Sequence, residues 1–302
     1  MKTKIENKVA SRSVYDMITD RITEQLAKGI VPWHQPWAGG SALAISYRSR
    51  KPYSMLNQLL LGKPGEWLTW NEIQDLGGKV KKGAKSSFCV WTKTFMAKVE
   101  PEAEGEEERM EERRYLKWYK VFHLDDCEGI PTKIEPVEPK EDLEPIQAAE
   151  QVIAGYLGRE KHLGFHNDRE SASAYYSPSR DEVVVPMLSQ YEIPEEYYST
   201  TFHELTHSTM HPDRCDRKAE NKLAAFGNAD YSREELVAEI GSAMLCNRVG
   251  IECERAFNNS VAYIQAWLKA LKNDNKMISW AATRAEKAAK YILKDGEVVE
   301  YE

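Results

Sequence analysis

Residues 197–210 read Tyr-Tyr-Ser-Thr-Thr-Phe-His-Glu-Leu-Thr-His-Ser-Thr-Met, and this stretch decides the fold of the second half of the chain. His203 and His207 are four residues apart, so on a helix their imidazoles project from one face. Two neutral imidazoles at that spacing can bind one metal ion, with Glu204 between them as a general base. An H-E-x-x-H pattern also occurs by chance in roughly one chain in a hundred of this size, so the prediction needs a third ligand.

A second predicted helix, Ser232–Met244, supplies that ligand, and a serine N-cap with a glutamate three residues later marks its start. Glu235 and Glu239 lie one helical turn apart, so both can face the first helix. We predict that Glu235 binds the metal and that Glu239 orients a ligand histidine or takes the place of Glu235. His211 is the competing ligand, but it lies about 12 Å beyond His203 along a continuous helix.

The pattern of two histidines and a glutamate predicts Zn²⁺ as the bound ion, with another divalent cation such as Mn²⁺ as the alternative. If the site is catalytic, it also needs a hydrogen-bond donor that stabilises the transition state. Three tyrosines are candidates for this donor, and the sequence does not choose between Tyr175, Tyr176 and Tyr231.

Composition describes a globular chain of 302 residues, with 42% hydrophobic and 29% charged residues, long enough for two domains. No apolar run approaches the ~18 residues of a membrane span, and residues 1–6 lack the apolar core of a secretory signal. The five cysteines are scattered and form no C-x-x-C pair. We therefore expect a cytoplasmic protein in a reducing compartment, without membrane association.

Charge is distributed unevenly along the chain. Residues 1–99 carry sixteen Lys and Arg against seven Asp and Glu, although the whole chain has a net charge of −7. A basic first third on an acidic protein predicts a polyanionic partner.

Basic residues and aromatic rings alternate in this first third. Single-stranded nucleic acid binds by stacking its bases on such rings while cations contact the phosphates. The alternative is that the tryptophans are structural anchors and the lysines are merely solvated. The predicted DNA-binding residues are Trp33, Trp37, Arg48, Arg50, Lys51, Tyr53, Lys79, Lys81, Lys82 and Lys85.

The secondary-structure pattern predicts an α+β fold with two domains, at residues 1–127 and 146–302, joined by a proline-rich acidic linker at 128–145. Strands are expected at Ser87–Val99 and Arg114–Leu124, with a mobile acidic loop, 100–112, between them. In the second domain a small sheet should precede the metal-binding helix.

Motifs spread over nearly the whole chain resemble those of a known family. In the first half they are Pro32-Trp33, Pro36-Trp37, Arg50-Lys51-Pro52-Tyr53, Trp67-Leu68-Thr69, Leu76-Gly77-Gly78, Val80-Lys81-Lys82-Gly83 and Tyr119-Lys120-Val121-Phe122. In the second half they are His203-Glu204-Leu205-Thr206-His207 and Glu234-Glu235-Leu236-Val237-Ala238-Glu239. With these motifs the chain resembles ArdC-type antirestriction proteins of plasmids and other mobile elements, which join an N-terminal single-stranded-DNA-binding domain to a C-terminal zincin-like metallopeptidase domain.

The resemblance implies an antirestriction protein that binds single-stranded DNA and carries a metal site of metallopeptidase type. It leaves open whether the site turns over a substrate. One alternative is a zinc-dependent peptidase that cleaves a host protein, such as a restriction enzyme, and uses DNA binding only for targeting. Another is a DNA-binding protein whose metal site is purely structural.

Overall fold

The structure is a computed structural model that describes residues 12–34, 43–99, 109–134, 145–217, 229–251 and 261–294. Its described part has the α+β fold predicted from the sequence. The predictions for Trp37 and for residues 100–108 of the acidic loop lie outside the described residues, as does most of the linker.

The N-terminal half alternates short helices with strands. Capping boxes fix two of the helix starts, because Ser13 pairs with Asp16 and Thr69 pairs with Glu72. In chain order the elements are α1 (Val14–Ala27), a 3₁₀ turn (Pro32–His34), β1 (Ala44–Ser46), α2 (Met55–Leu61), β2 (Gly65–Thr69), α3 (Trp70–Asp75), β3 (Lys79–Val80), β4 (Ser87–Val99), β5 (Arg109–His123), a 3₁₀ turn (Leu124–Asp126) and β6 (Cys127–Glu128).

Four of these strands form one sheet in the order β1-β2-β5-β4, with β1 and β2 parallel and the other neighbours antiparallel. Strands β3 and β6 pair separately. Strand β5 begins at Arg109 rather than at the predicted Arg114, because its pairing with β4 continues out to Val99. The residues from 109 to 112 are therefore strand, and the prediction of a loop there is wrong.

The C-terminal half is mainly helical. Its motif helix starts with Pro194, whose missing N–H is not needed at that position. The elements are α4 (Pro145–Arg159), β7 (Gly164–His166), β8 (Tyr175–Ser177), β9 (Glu182–Val184), a 3₁₀ turn (Leu188–Gln190), α5 (Pro194–Ser208), α6 (Ala229–Val249), α7 (Val261–Asn273) and α8 (Met277–Leu293). The three strands form a sheet in the order β7-β9-β8.

Helix α6 is longer than the sequence predicted. It begins at Ala229, so Ser232 lies inside the helix and the prediction that Ser232 is its N-cap is wrong. No glycine or proline interrupts residues 229–232, so nothing in the local sequence stops the helix from starting earlier.

One hydrophobic core runs through both halves of the molecule. Ile18 of α1 and the fully buried Trp33 belong to the same cluster as Trp267 and Leu271 of α7 and Ile278 of α8. The rings of Trp33 and Trp267 meet edge to face with their centroids 5.9 Å apart. The N-terminal helix therefore packs on the C-terminal helices. Among the described helices, none combines the length and the apolar character needed to cross a bilayer.

Candidate metal centre and nucleic-acid surface

Helix α5 places two imidazoles side by side. His203 and His207 are one turn apart, and their Nε2 atoms lie 3.1 Å from each other. Both side chains are largely buried, with 19% and 13% of their surface exposed. Two imidazole nitrogens this close, near the protein surface but shielded from bulk water, make a natural pair of metal ligands.

Helix α6 brings a carboxylate to the same point. The two oxygens of Glu235 lie 3.6 Å from His203 Nε2 and 3.3 Å from His207 Nε2. Among the described residues these three side chains form a cluster whose ligand atoms all lie within 4.8 Å of one another. Donors bound tetrahedrally with bonds of about 2.0–2.1 Å lie roughly 3.3 Å apart, so the cluster fits one divalent ion.

Close packing between α5 and α6 holds the three donors together. A Cβ atom at Gly241 would lie 2.6 Å from Thr206 Cγ2 and 2.9 Å from Thr206 Oγ1, so the position accepts only glycine without a shift. The hydroxyl of Ser242 donates a hydrogen bond to the Ser199 carbonyl at 2.7 Å. These small residues let α6 approach α5 closely enough for Glu235 to reach the histidines.

A buried ion pair that no sequence pattern indicates supports one of the histidines. Glu234 Oε1 lies 3.5 Å from His207 Nδ1, on the side of the ring away from the cluster. Arg217 donates to both oxygens of Glu234, at 2.7 and 3.2 Å, and also to the Thr206 carbonyl at 3.0 Å. Carboxylates in this position fix the orientation of a metal-binding histidine.

Charges in the cluster shift the pKa values of its members. Burial alone would lower the pKa of His207, but hydrogen bonds to Glu234 and Glu235 outweigh it and raise that pKa to about 10. Burial would likewise lower the pKa of His203, yet Glu235 and other carboxylates raise it. Burial would raise the pKa of Glu235, but its hydrogen bonds to both histidines lower it. The site thus concentrates negative charge where a cation would sit.

Glu204, the predicted general base, is buried beside the cluster. Its charge contributes to the raised pKa values of both His203 and His207, so its carboxylate lies close enough to act on the cluster electrostatically. Tyr191 also approaches Glu204. Burial raises the pKa of Tyr191, a hydrogen bond with Thr200 opposes this, and Glu204 adds to the rise.

The predicted tyrosine donors have different surroundings. Tyr176 donates its hydroxyl to Asp181 at 2.8 Å, and Arg214 contacts the same two groups. Tyr175 is 40% exposed. Tyr231 lies in α6. Tyr191, which no sequence pattern suggested, is a further candidate because it lies near Glu204.

The two competing ligands stay outside the cluster formed by the described residues. Glu239 lies one turn beyond Glu235, and its charge helps to raise the pKa of His203. His211 follows the end of α5, and its Nδ1 accepts a hydrogen bond from the Asp213 amide at 3.3 Å. The helix crossing, rather than any local feature, brings Glu235 to the histidines.

The predicted DNA-binding residues divide into a buried and an exposed set. Trp33 is 0% exposed and packs in the core, so its ring cannot stack on a base and the structural alternative applies to it. Tyr53 is half-buried and packs with Tyr119. The basic side chains are all exposed, in the turn after β1 and around β3, at Arg48, Arg50, Lys51, Lys79, Lys81, Lys82 and Lys85.

Two of these cations also hold the structure together. Arg50 pairs with the buried Glu66 and donates to the Lys133 carbonyl at 3.1 Å. Lys81 Nζ donates to the Asp125 carbonyl at 2.7 Å. Substitutions at Arg50 would therefore disturb the fold as well as any nucleic-acid contact.

Two family models match this chain. Residues 12–122 match the N-terminal domain of anti-restriction factor ArdC, and residues 160–284 match a zincin-like metallopeptidase. The metal cluster lies inside the second match.

Known proteins resemble both halves together. Two crystal structures of the antirestriction ArdC protein from the R388 plasmid, one metal-free and one Mn(II)-bound, superpose with a TM-score of 0.68. They are 31% and 29% identical in sequence, and the match covers 94% of this chain and 98% of theirs. DNA primase TraC of Escherichia coli is 31% identical in an alignment 299 positions long, which covers 92% of this chain but only 27% of TraC. The chain thus spans about a quarter of that relative.

Proposed function

Because this chain belongs to the ArdC family of antirestriction proteins, we propose that it binds single-stranded DNA through its N-terminal half and holds a divalent metal ion in its zincin-like half. The observation that carries the proposal is the convergence of His203, His207 and Glu235, whose ligand atoms lie within 4.8 Å of one another. Two imidazoles and one carboxylate are the donors of this class of metal site.

His203, His207 and Glu235 would hold the ion, and Zn²⁺ is the ion that we propose, with Mn²⁺ as the alternative. A bound divalent cation would supply Lewis-acid polarisation of a carbonyl and would favour ionisation of water. Glu234 keeps the His207 ring in place, and Arg217 keeps Glu234 in place. This arrangement spares the ligands from reorienting when the ion binds.

Metal analysis of the purified protein tests this half of the proposal. The parent protein should contain about one equivalent of a divalent ion, and His203→Ala or Glu235→Ala should lose it. His211→Ala is the matched control, because His211 lies just beyond the same helix but outside the cluster. A parent protein without metal after loading, or equal loss in the control, would refute the site.

DNA binding is proposed from the basic first third and the family. The exposed cations around β3 and after β1 would contact phosphates. Affinity for a labelled single strand should fall steeply as salt rises, because binding releases counterions. Replacing both Lys81 and Lys82 by alanine should weaken binding to all sequences about equally. Absent or salt-independent binding would exclude this function.

A peptidase activity is the second candidate function. It is favoured by the number of protein donors, because structural sites usually have four and the described cluster has three. In this proposal Glu204 accepts the proton of the attacking water, and Tyr191 or one of the sequence-predicted tyrosines donates a hydrogen bond to the developing oxyanion. The peptide would come from the protein itself or from a host protein.

A comparison of Glu204→Gln with the parent tests the peptidase. Both proteins should bind the metal, but only the parent should cleave itself or an added protein substrate. Equal cleavage by both, or none by either, would leave the metal site with a structural role. The family assignment would remain.

We also propose the division of the chain into residues 1–127, a linker at 128–145 and residues 146–302, although Glu128 in β6 pairs with Lys79 and Pro145 begins α4. Family matches to 12–122 and 160–284 support it. A reducing, cytoplasmic location is proposed on the cysteines, since Cys89, Cys127 and Cys215 are buried thiols outside any disulfide.

A further inference from the structure

Strands β4 and β5 form a long antiparallel ribbon that extends past the rest of the sheet. Their pairing runs from Ser87↔Val121 to Val99↔Arg109, whereas β2 pairs with β5 only at residues 121–123. Beyond that point each strand has its partner on one side, and β4 is the edge of the sheet. An isolated two-stranded ribbon is marginally stable in water, so one of this length is expected to have a purpose.

One face of this ribbon carries three aromatic rings and three cations in cross-strand pairs. The pairs are Trp91↔Lys117, Lys93↔Tyr115 and Phe95↔Arg113. Side chains alternate along a strand, so these six project from the same side of the ribbon. Every pair joins one ring to one cation. We call these six residues the ribbon face.

Contacts within the ribbon face confirm that its members are neighbours. Lys117 Nζ lies 5.9 Å from the centre of the Trp91 ring and 5.7 Å from that of Tyr115. The rings of Phe95 and Tyr115 are 5.4 Å apart. Rings and cations thus interleave over about 13 Å along the strand, at ~3.3 Å per residue.

The ribbon exposes an unusual amount of apolar surface. Of the fourteen large hydrophobic side chains that the described part of the chain exposes, six lie on this ribbon. On the ribbon face, Trp91 and Phe95 are each 41% exposed and Tyr115 is 39% exposed. Exposed rings clustered in this way mark a binding surface more often than a solvated one.

The opposite side of the ribbon has a different character. Val90 packs in the main core and receives hydrogen-bonding support from Asn57, and Leu116 packs against the same core. Farther out on that side, Arg114 pairs with Glu112 at 2.7 Å. The opposite side also exposes Trp118, Met96 and Met110, but only the ribbon face pairs a ring with a cation at three successive positions along the strands.

We propose that the ribbon face is a stacking platform for single-stranded DNA, separate from the DNA-binding residues predicted from the sequence. Bases stack on Trp91, Tyr115 and Phe95, and the three cations contact the phosphates between them. The proposal rests on the DNA-binding function proposed above and names where on the N-terminal half the strand binds. The face begins beside Tyr119, which packs with the sequence-predicted Tyr53.

The alternation of rings and cations favours single-stranded DNA over a protein as the partner of the ribbon face. Protein–protein interfaces are depleted in lysine, whereas two of the three cations on the ribbon face are Lys93 and Lys117. A single strand presents flat bases and phosphates in alternation, and the ribbon face presents rings and cations in alternation. Contacts between cations and rings also stabilise the ribbon in the absence of DNA, so the free and the DNA-bound protein use the same residues.

Two tryptophans provide a matched test. Trp91 lies on the ribbon face and Trp118 on the opposite side, and they are 41% and 43% exposed. Binding of a fluorescein-labelled oligothymidylate to the full-length chain is measured by anisotropy. Trp91→Ala should weaken it roughly 5- to 150-fold, and Trp118→Ala should leave it within about twofold of the parent.

Salt dependence supplies a second readout that a folding defect would not imitate. Replacing both Lys93 and Lys117 by alanine should lower the slope of log affinity against log salt by about 1.4, at ~0.7 per phosphate contact on a single strand. Lys120→Ala is the control, since Lys120 pairs with Phe88 on the opposite side and is also exposed. Circular dichroism and Tm confirm that each variant is folded.

The outcomes separate the two proposals. If the parent does not bind the oligonucleotide, the proposed DNA-binding function fails and this inference fails with it. If the parent binds and the Trp91 and lysine variants bind equally well, the function stands and the ribbon face is wrong. Equal losses in Trp91→Ala and Trp118→Ala, or an unchanged salt slope in the lysine variant, would also overturn it.

Discussion

Gly241→Ala tests how the metal site is assembled. The added Cβ would lie 2.6 Å from Thr206 Cγ2 and 2.9 Å from Thr206 Oγ1. Because both branches of the Thr206 side chain face the new atom, no simple rotation relieves the contact. Ordinary contact begins near 3.4 Å, so α6 must move away from α5 by about 0.8 Å.

Two opposing contributions determine how Gly241→Ala changes the free energy of unfolding. Overpacking a buried contact costs about 1–3 kcal/mol. Replacing glycine by alanine inside a helix gains about 1 kcal/mol. Gly155→Ala in α4 should show only the gain from the helix-favouring alanine. It causes no overpacking, because the nearest atom to a Cβ there is Arg159 Nη1 at 3.8 Å. The free energies of unfolding of the two variants should therefore differ by about 1–3 kcal/mol.

The metal site should respond as well. Metal–ligand distances are held within about 0.2 Å, and Glu235 lies on the helix that must move. We expect Gly241→Ala to weaken metal binding about tenfold or more, while Gly155→Ala leaves it unchanged. Urea unfolding and a chelator competition titration measure the two effects. Equal stability of the two variants together with parental metal affinity in Gly241→Ala would refute the reasoning.

Three further predictions follow from contacts in the C-terminal half and its core. Glu234→Gln should weaken metal binding about 10- to 100-fold, because the amide holds the ligand histidine less firmly; an equal loss in Glu192→Gln, at an exposed position and measured by the same titration, would contradict this. Burial would raise the pKa of Asp181, but Arg214 lowers it below 3.8, so the stability from this pair is complete above that pH and is lost as the pH falls further. Asp181→Asn should therefore lower the urea midpoint more at neutral pH than at about pH 3, and an equal shift at both would argue against the pair. Residues 145–302 expressed alone should bind a hydrophobic dye and melt without a sharp transition, because the core that they share with α1 is then exposed; a cooperative melt at the parental Tm would refute a shared core.

Local patterns in the sequence predicted the elements of the metal site well. The spacing of His203 and His207 defined a helix, and Pro194 marked its first residue. Helical periodicity does not distinguish Glu235 from Glu239 as the ligand, because both carboxylates lie on one side of α6. The structure brings Glu235 to the histidines through the helix crossing at Gly241, and no local pattern encodes that crossing.

Tertiary packing explains what the sequence could not show. Trp33 looked like an exposed ring in a Pro-Trp pair, but it fills a space between α1 and α7 that exists only in the folded chain. The role of Glu234 depends on Arg217, seventeen residues away in sequence. The ribbon face did leave a signal, because Trp91, Lys93 and Phe95 alternate with threonines, and a period of two in an edge strand separates its faces.

The continuous core between the halves also bears on how such a protein can be inherited. A recombination break near residue 140 would leave Ile18 and Trp33 on one product and Trp267 on the other, each with an uncovered apolar surface. Selection would remove both products, whereas fusing the two halves together to another polypeptide leaves their shared hydrophobic core intact. The two halves should therefore be transferred between genes together, and an alignment with a much longer primase that covers 92% of this chain agrees with that constraint.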